Sequence, residues 1–136
     1  MDPAALHAFF AAHFPRAQGI GFTFVRSGPD GVELTLDTRD DHLRPGGTVS
    51  GPTLMTLADT AMYASLLARL GVAAATAVTS SLEMHFLSRP DPGRLTVRCR
   101  LLKVGRRLAV GAVELARAEG AVVAFATVTY ALNPTT

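Results

Sequence analysis

The sequence predicts an α+β fold in which a long antiparallel sheet curls around one enclosed helix. Three observations carry this prediction. Across residues 52–70 nearly every position is apolar or small, among them Leu54, Leu57, Ala58, Ala61, Met62, Leu66 and Leu67. A surface helix shows one apolar stripe opposite a charged face, so a cylinder apolar almost all round must be covered by other elements. Two alternating stretches precede it, and four β-rich stretches joined by short links follow it. Links that short suit antiparallel neighbours.

In chain order, Asp2 and Pro3 open a short helix, with Asp at the cap and Pro at the first position. Leu6, Phe9, Phe10 and Phe14 follow at helical spacing, and Pro15 is expected to end it. His7 and His13 have no second ligand at a metal-binding spacing, so they are read as surface or interface side chains and no metal site is expected. Residues 21–26 and 32–38 alternate as two strands, joined through Ser27, Gly28, Pro29, Asp30 and Gly31 into a hairpin. Val32, Leu34 and Leu36 face one way, while Glu33, Thr35 and Asp37 face the other. Residues 39–48 form a polar loop leading to the central helix.

That helix is punctuated by its own residues. Ser50 or Gly51 suits the N-cap, Pro52 the first helical position, and Gly71 the left-handed residue that closes a helix. Arg69 in the last turn complements the helix dipole. Strands are expected over 75–87, 94–104, 107–117 and 122–132. Leu95, Val97, Cys99 and Leu101 alternate with Thr96, Arg98 and Arg100, which gives that strand one covered and one wet face.

Asp59 is the residue hardest to explain as ordinary structure. A mid-helix carboxylate without partners is costly to bury. Thr56, Asp59, Thr60 and Tyr63 fall at i, i+3, i+4 and i+7, a polar stripe on an otherwise apolar cylinder. The stripe must face water, a cleft or another subunit. At the helix entrance, the backbone amides near Gly51 offer a site for developing negative charge. Ser50 either hydrogen-bonds a substrate group or caps the helix, and His42 and Arg44 in the preceding loop either line a cleft or are solvated.

Residues 46–71 resemble the signature of hotdog-fold thioesterases of the phenylacetate-pathway type. In that signature an Asn precedes a Gly-rich turn, His-Gly-Gly follows, and Leu-Ala-Asp lies on the central helix. Here Leu57-Ala58-Asp59 follows Ser50 by nine residues, and Gly51 keeps the first Gly. Ser50 stands in place of His, Pro52 in place of the second Gly, and Arg44 in place of Asn. The resemblance runs over nearly the whole chain and implies the hotdog arrangement for one domain, 1–136.

It also implies hydrolysis of acyl-CoA thioesters to free acid and coenzyme A. Asp59 would be general base or nucleophile, the amide at Gly51 would hold the oxyanion, and Ser50 and Thr79 would assist. Thr79 sits where relatives carry a hydroxyl that orients water. Thr60, Tyr63 and Arg44 would contact the substrate, while Arg89, Lys103, Arg106 and Arg107, in two turns expected to approach each other, would hold the phosphates of coenzyme A. In the family, the Gly and Asp of one site come from opposite subunits. That suits a spacing of roughly 12 Å between the helix start and Asp59 at 1.5 Å per residue. A homo-oligomer is expected, with a dimer as minimal unit and a dimer of dimers, a homotetramer, as the assembly.

Composition narrows the field. With 136 residues, 49% hydrophobic and 18% charged, the chain is a single globular domain. So apolar a surface suits burial in an oligomer. Twelve Arg and one Lys give a net charge of +2 and are scattered, unlike the concentrated basic face of a nucleic-acid binder. The helical run is too short and too broken by polar residues to span a membrane. A single cysteine excludes an internal disulfide framework, and no secretory leader is legible, so a cytoplasmic location is expected. No cofactor is expected beyond coenzyme A as part of the substrate. Glu83 and His85, at i and i+2 on one strand face, are read as a cross-strand or interface pair rather than a catalytic dyad. The alternatives are a non-catalytic acyl-CoA binder or a hotdog hydratase or dehydratase; the latter needs a His that the helix and its entrance lack.

Overall fold

The computed structural model describes residues 1–132; the last four residues of the expected domain lie outside the described residues. The elements are α1 (Pro3–His13), α2 (Pro15–Gln18), β1 (Thr23–Gly28), β2 (Gly31–Asp37), α3 (Gly51–Leu70), β3 (Val78–Phe86), β4 (Arg94–Val104), β5 (Leu108–Arg117) and β6 (Val122–Ala131). Six strands form one antiparallel sheet in the order β1-β2-β4-β5-β6-β3, and α3 lies across its concave face. This is the hotdog arrangement.

The ends of α3 follow from local chemistry. Ser50 is the N-cap: its Oγ accepts from the Thr53 amide at 3.3 Å. Gly71 closes the helix at φ +69°, and its N–H donates to the Leu67 carbonyl. Leu54, Leu57, Ala58, Ala61, Met62, Leu66 and Leu67 are buried against the sheet. Gly111 on β5 lets the helix seat this closely, because a Cβ there would run into Met62 Sδ. Ser65 is a polar tie inside this apolar contact. Its Oγ donates to the Ala61 carbonyl at 2.7 Å and accepts the Val32 amide of β2 at 3.1 Å.

Several local expectations are corrected. Pro15 ends α1 but also starts the four-residue α2, since Pro suits a first helical position. β1 begins two residues late because Gly21 has φ +98°, outside the extended region. The hairpin turn shrinks to Pro29 and Asp30, with Gly28 already paired to Gly31. β3 starts at Val78 rather than 75, after a 3-10 turn over Gly71–Ala74. His7 is not a free surface group: its Nε2 accepts the Phe24 amide at 3.0 Å and so ties α1 to β1.

One topological expectation also falls. The link through Pro90 and Gly93 does not join neighbours, for β3 lies at the sheet edge beside β6 and β4 pairs with β2 and β5. The link crosses the end of the sheet, stitched to the loop before α3. The Val49 amide donates to the Pro90 carbonyl and the Thr38 amide to that of Gly93. Bonding to that loop is available only if β3 and β4 lie apart.

Candidate active site

Burial of the apolar face of α3 leaves its polar stripe turned toward β3 and α1. Asp59 is half-buried there, and its Oδ1 accepts two hydrogen bonds of 2.8 Å, from Thr79 Oγ1 and from the Tyr130 hydroxyl. A β-bulge aims Thr79. Thr79 pairs with Tyr130 and Ser81 with Thr129, so Ser80 is an extra residue that turns Thr79 onto the helix side. Tyr130 is 4% exposed, and burial pushes its hydroxyl far above the ordinary phenol range, with the Asp59 charge adding to the rise. It therefore remains a donor. With Oδ1 doubly bonded and no donor to Oδ2 among the described residues, Oδ2 is the oxygen left for a ligand.

The carboxylate opens into a cavity of about 350 Å³ whose other walls are mostly apolar and aromatic. Phe10, Phe14, Ala17, Ala77 and Val78 line it, together with Thr56, Thr60 and Tyr63. Thr60 and Tyr63 line the same cavity as Asp59, although the Tyr63 hydroxyl is spent on the Ala75 carbonyl at 2.8 Å. Tyr130 was not legible as a site residue. The signal for it was its place in the buried row Ala124, Ala126, Val128, Tyr130, where a phenol needs a partner. Tyr130→Phe is expected to lower kcat about tenfold, the scale of one hydrogen bond to a charged group, while thermal melts stay near wild type.

Gly51 is not in this cavity. It lies at the start of α3 beside Phe86, where a Cβ would sit 3.6 Å from the ring, an ordinary contact. Pro52 has no N–H and the Thr53 amide is taken by Ser50. The Gly51 amide has no acceptor among the described residues. Ser50 is a cap, also bonded to Thr53 Oγ1 at 2.8 Å.

Arg44 is exposed on a tight turn closed by the Leu43–Val49 bridge. His42, by contrast, is buried and lines no cleft. Its Nδ1 accepts the Arg39 amide at 2.9 Å, which leaves Nε2 to donate to the Ile20 carbonyl at 3.0 Å.

The two basic turns do not approach each other within the chain. Lys103, Arg106 and Arg107 lie at the end of β5 near Val78, whereas Arg89 lies at the other end, bonded to Asp91 at 2.8 Å and to the Gly46 carbonyl at 3.2 Å. Ten residues of β5 separate them, roughly 30 Å at 3.4 Å per residue. Successive antiparallel links alternate between the ends of a sheet, which is why the two cannot meet. Glu83 and His85 pair with each other at 3.1 Å on the exposed face of β3. Among the described residues no three His, Cys, Asp or Glu side chains are placed to hold a metal, and no helix is long and apolar enough to cross a membrane.

Cys99 packs against Met62, and burial pushes its thiol up to about 11. It is expected to resist thiol reagents at pH 8 in the native protein and to titrate as one thiol on unfolding. An assay of released thiol would confirm this by its low background.

A family model, described as the thioesterase superfamily, matches residues 46–124. The chain belongs to the thioesterase superfamily. A protein of Silicibacter sp. TM1040, provisionally assigned as a thioesterase, shares 40% identity over 98% of this chain and 93% of its own, with a TM-score of 0.85. The phenylacetic acid degradation protein PaaI of Thermus thermophilus, solved as a point mutant, shares 28% identity over 87% of this chain and 98% of its own, with a TM-score of 0.78. Zebrafish thioesterase superfamily member 2 has the same fold, with a TM-score of 0.87 over 98% and 99% of the two chains at 21% identity. No curated protein matches the sequence. This superfamily chain is thus PaaI-like, and its relatives support thioester hydrolysis as the class of reaction. The matched segment contains Gly51, Asp59 and Thr79 but ends before Tyr130.

Proposed function

We propose that the protein hydrolyses acyl-CoA thioesters, with Asp59 as its working carboxylate. The observation that carries this reading is the Asp59 carboxylate held by Thr79 and Tyr130 at the mouth of an apolar cavity. In the base role, Asp59 Oδ2 takes a proton from water as the water oxygen attacks the thioester carbon. The oxyanion then collapses, the C–S bond breaks, and the sulfur leaves as thiolate and takes up a proton. In the nucleophile role the same oxygen attacks the carbon directly, the C–S bond breaks with loss of the thiolate, and water cleaves the resulting anhydride to the free acid and the Asp59 carboxylate.

A second copy supplies the oxyanion site. On one side β3 bonds to β6; its other edge has no strand partner among the described residues, and Val78 and Phe86 at its ends are exposed. A long unprotected edge of this kind favours pairing with another strand. β3 runs along α3 from Thr79, bonded to Asp59, to Phe86, packed on Gly51. Two β3 strands paired antiparallel about a two-fold axis would set the Asp59 end of one copy against the Gly51 end of the other. The free Gly51 amide would then stabilise the oxyanion in trans. The same pairing would bring Arg89 of one copy toward Lys103, Arg106 and Arg107 of the other, a basic group suited to the phosphates of coenzyme A. Pairing of two such dimers into a tetramer belongs to the same proposal.

The test is thiol release over short-chain, long-chain and aryl acyl-CoAs. Release well above background supports hydrolysis. Tight binding without release from any member would leave the protein an acyl-CoA binder, the reading favoured by Ser50 standing in place of the family's His.

A further inference from the structure

A second cavity of about 390 Å³ lies beside the first and shares two wall residues with it, Phe14 and Tyr63. The rest of its lining is Phe9, His13, Val72 and Ala75, with no carboxylate. The two shared walls differ in how they are held. Tyr63 is 7% exposed and its hydroxyl is tied to the Ala75 carbonyl. Phe14 is 42% exposed and sits in the break between α1 and α2, where its backbone leaves the helical region at φ −137° and ψ 62°. Its ring packs among three others: it meets Tyr63 edge-on at 5.4 Å, Phe10 at 5.7 Å and Phe9 at 6.4 Å. Aromatic contacts of this kind contribute about 1 kcal/mol each. The partition therefore has one leaf tied by a hydrogen bond and one half-exposed leaf held by ring packing.

We propose that the second cavity receives the distal end of a long straight-chain acyl group, and that Phe14 is the side chain that decides whether the chain passes. The idea rests on the acyl-CoA reading for its substrate, and it names the class within it. A chain entering along the Asp59 cavity meets Phe14 and Tyr63 in the wall that the two cavities share. Displacing Phe14 joins the two spaces into one passage lined by rings and small aliphatic groups. Asp59 is the one carboxylate lining that passage, and the polar side chains of the second cavity are His13 and Tyr63, whose hydroxyl is tied to the Ala75 carbonyl, so it suits a neutral hydrocarbon tail.

The experiment measures binding of alkyl-CoA thioethers of increasing chain length, and of straight-chain alcohols of the same lengths, by calorimetry. In the wild type, affinity is expected to rise about fourfold per buried methylene beyond the length that fills the first cavity. Val72 is 72% exposed, so Val72→Trp can obstruct the second cavity without disturbing the core. That variant is expected to weaken long-chain binding about tenfold and leave short chains unchanged. Phe14→Ala, which also removes a wall of the first cavity, is expected to strengthen long chains several-fold relative to short ones. Equal effects on long and short chains, or none from either variant, would overturn the proposal. Absence of thiol release with this length pattern intact would sink the hydrolase reading and keep the second cavity. A flat length pattern with thiol release intact would do the reverse.

Discussion

Asp59→Asn is expected to reduce kcat for thioester hydrolysis about a thousandfold, within the range for loss of a general base. The change is nearly isosteric. The amide oxygen can still accept from Thr79 Oγ1 and Tyr130, so the two 2.8 Å contacts and the packing around them survive. What is lost is the basicity of the second oxygen, since an amide nitrogen neither takes a proton from water nor attacks a carbonyl. Gel filtration and thermal melts should therefore match wild type while thiol release disappears. Full activity in this variant would remove Asp59 from the chemistry, and unfolding would assign it a structural role instead.

The other large effect is rescue between two inactive chains. Gly51→Pro removes the one free amide at the start of α3, and Ser50 at φ −68° and ψ 147° already has the extended backbone that a residue before proline prefers. Alone, this variant is expected to lose activity on the hundredfold scale of a missing oxyanion donor. Unfolded and refolded together with Asp59→Asn chains, it should recover about a quarter of wild-type activity. Half of the randomly formed two-fold dimers are mixed, and each mixed dimer holds one complete site of two. Without recovery, Gly51 and Asp59 do not act across an interface.

Much of the chain was legible because it depends on neighbours in sequence. The bounds of α3 follow from Ser50, Pro52 and Gly71, and β4 spans Arg94–Val104, the range its alternation predicts. Asp59 was conspicuous because a carboxylate on a buried helix demands a reason. Tyr130 was not, since its meaning depends on β6 lying between β3 and β5 and on the register that sets it opposite Thr79. The bulge at Ser80 is equally hidden: a strict alternation would point Thr79 away from Asp59. His7 and His42 were misjudged for the same reason, because their partners lie 17 and 22 residues away.

By itself the amino-acid sequence determined that a long apolar helix had to be wrapped by one-faced strands, because caps, turns and apolar periodicity act over a few residues. Only the tertiary structure decided which oxygen of Asp59 is occupied, that Arg89 lies at the far end of the sheet from the other basic turn, and that Phe14 stands between two cavities. Those facts depend on strand order and register, which are set by contacts between distant segments and leave no periodic mark along the chain.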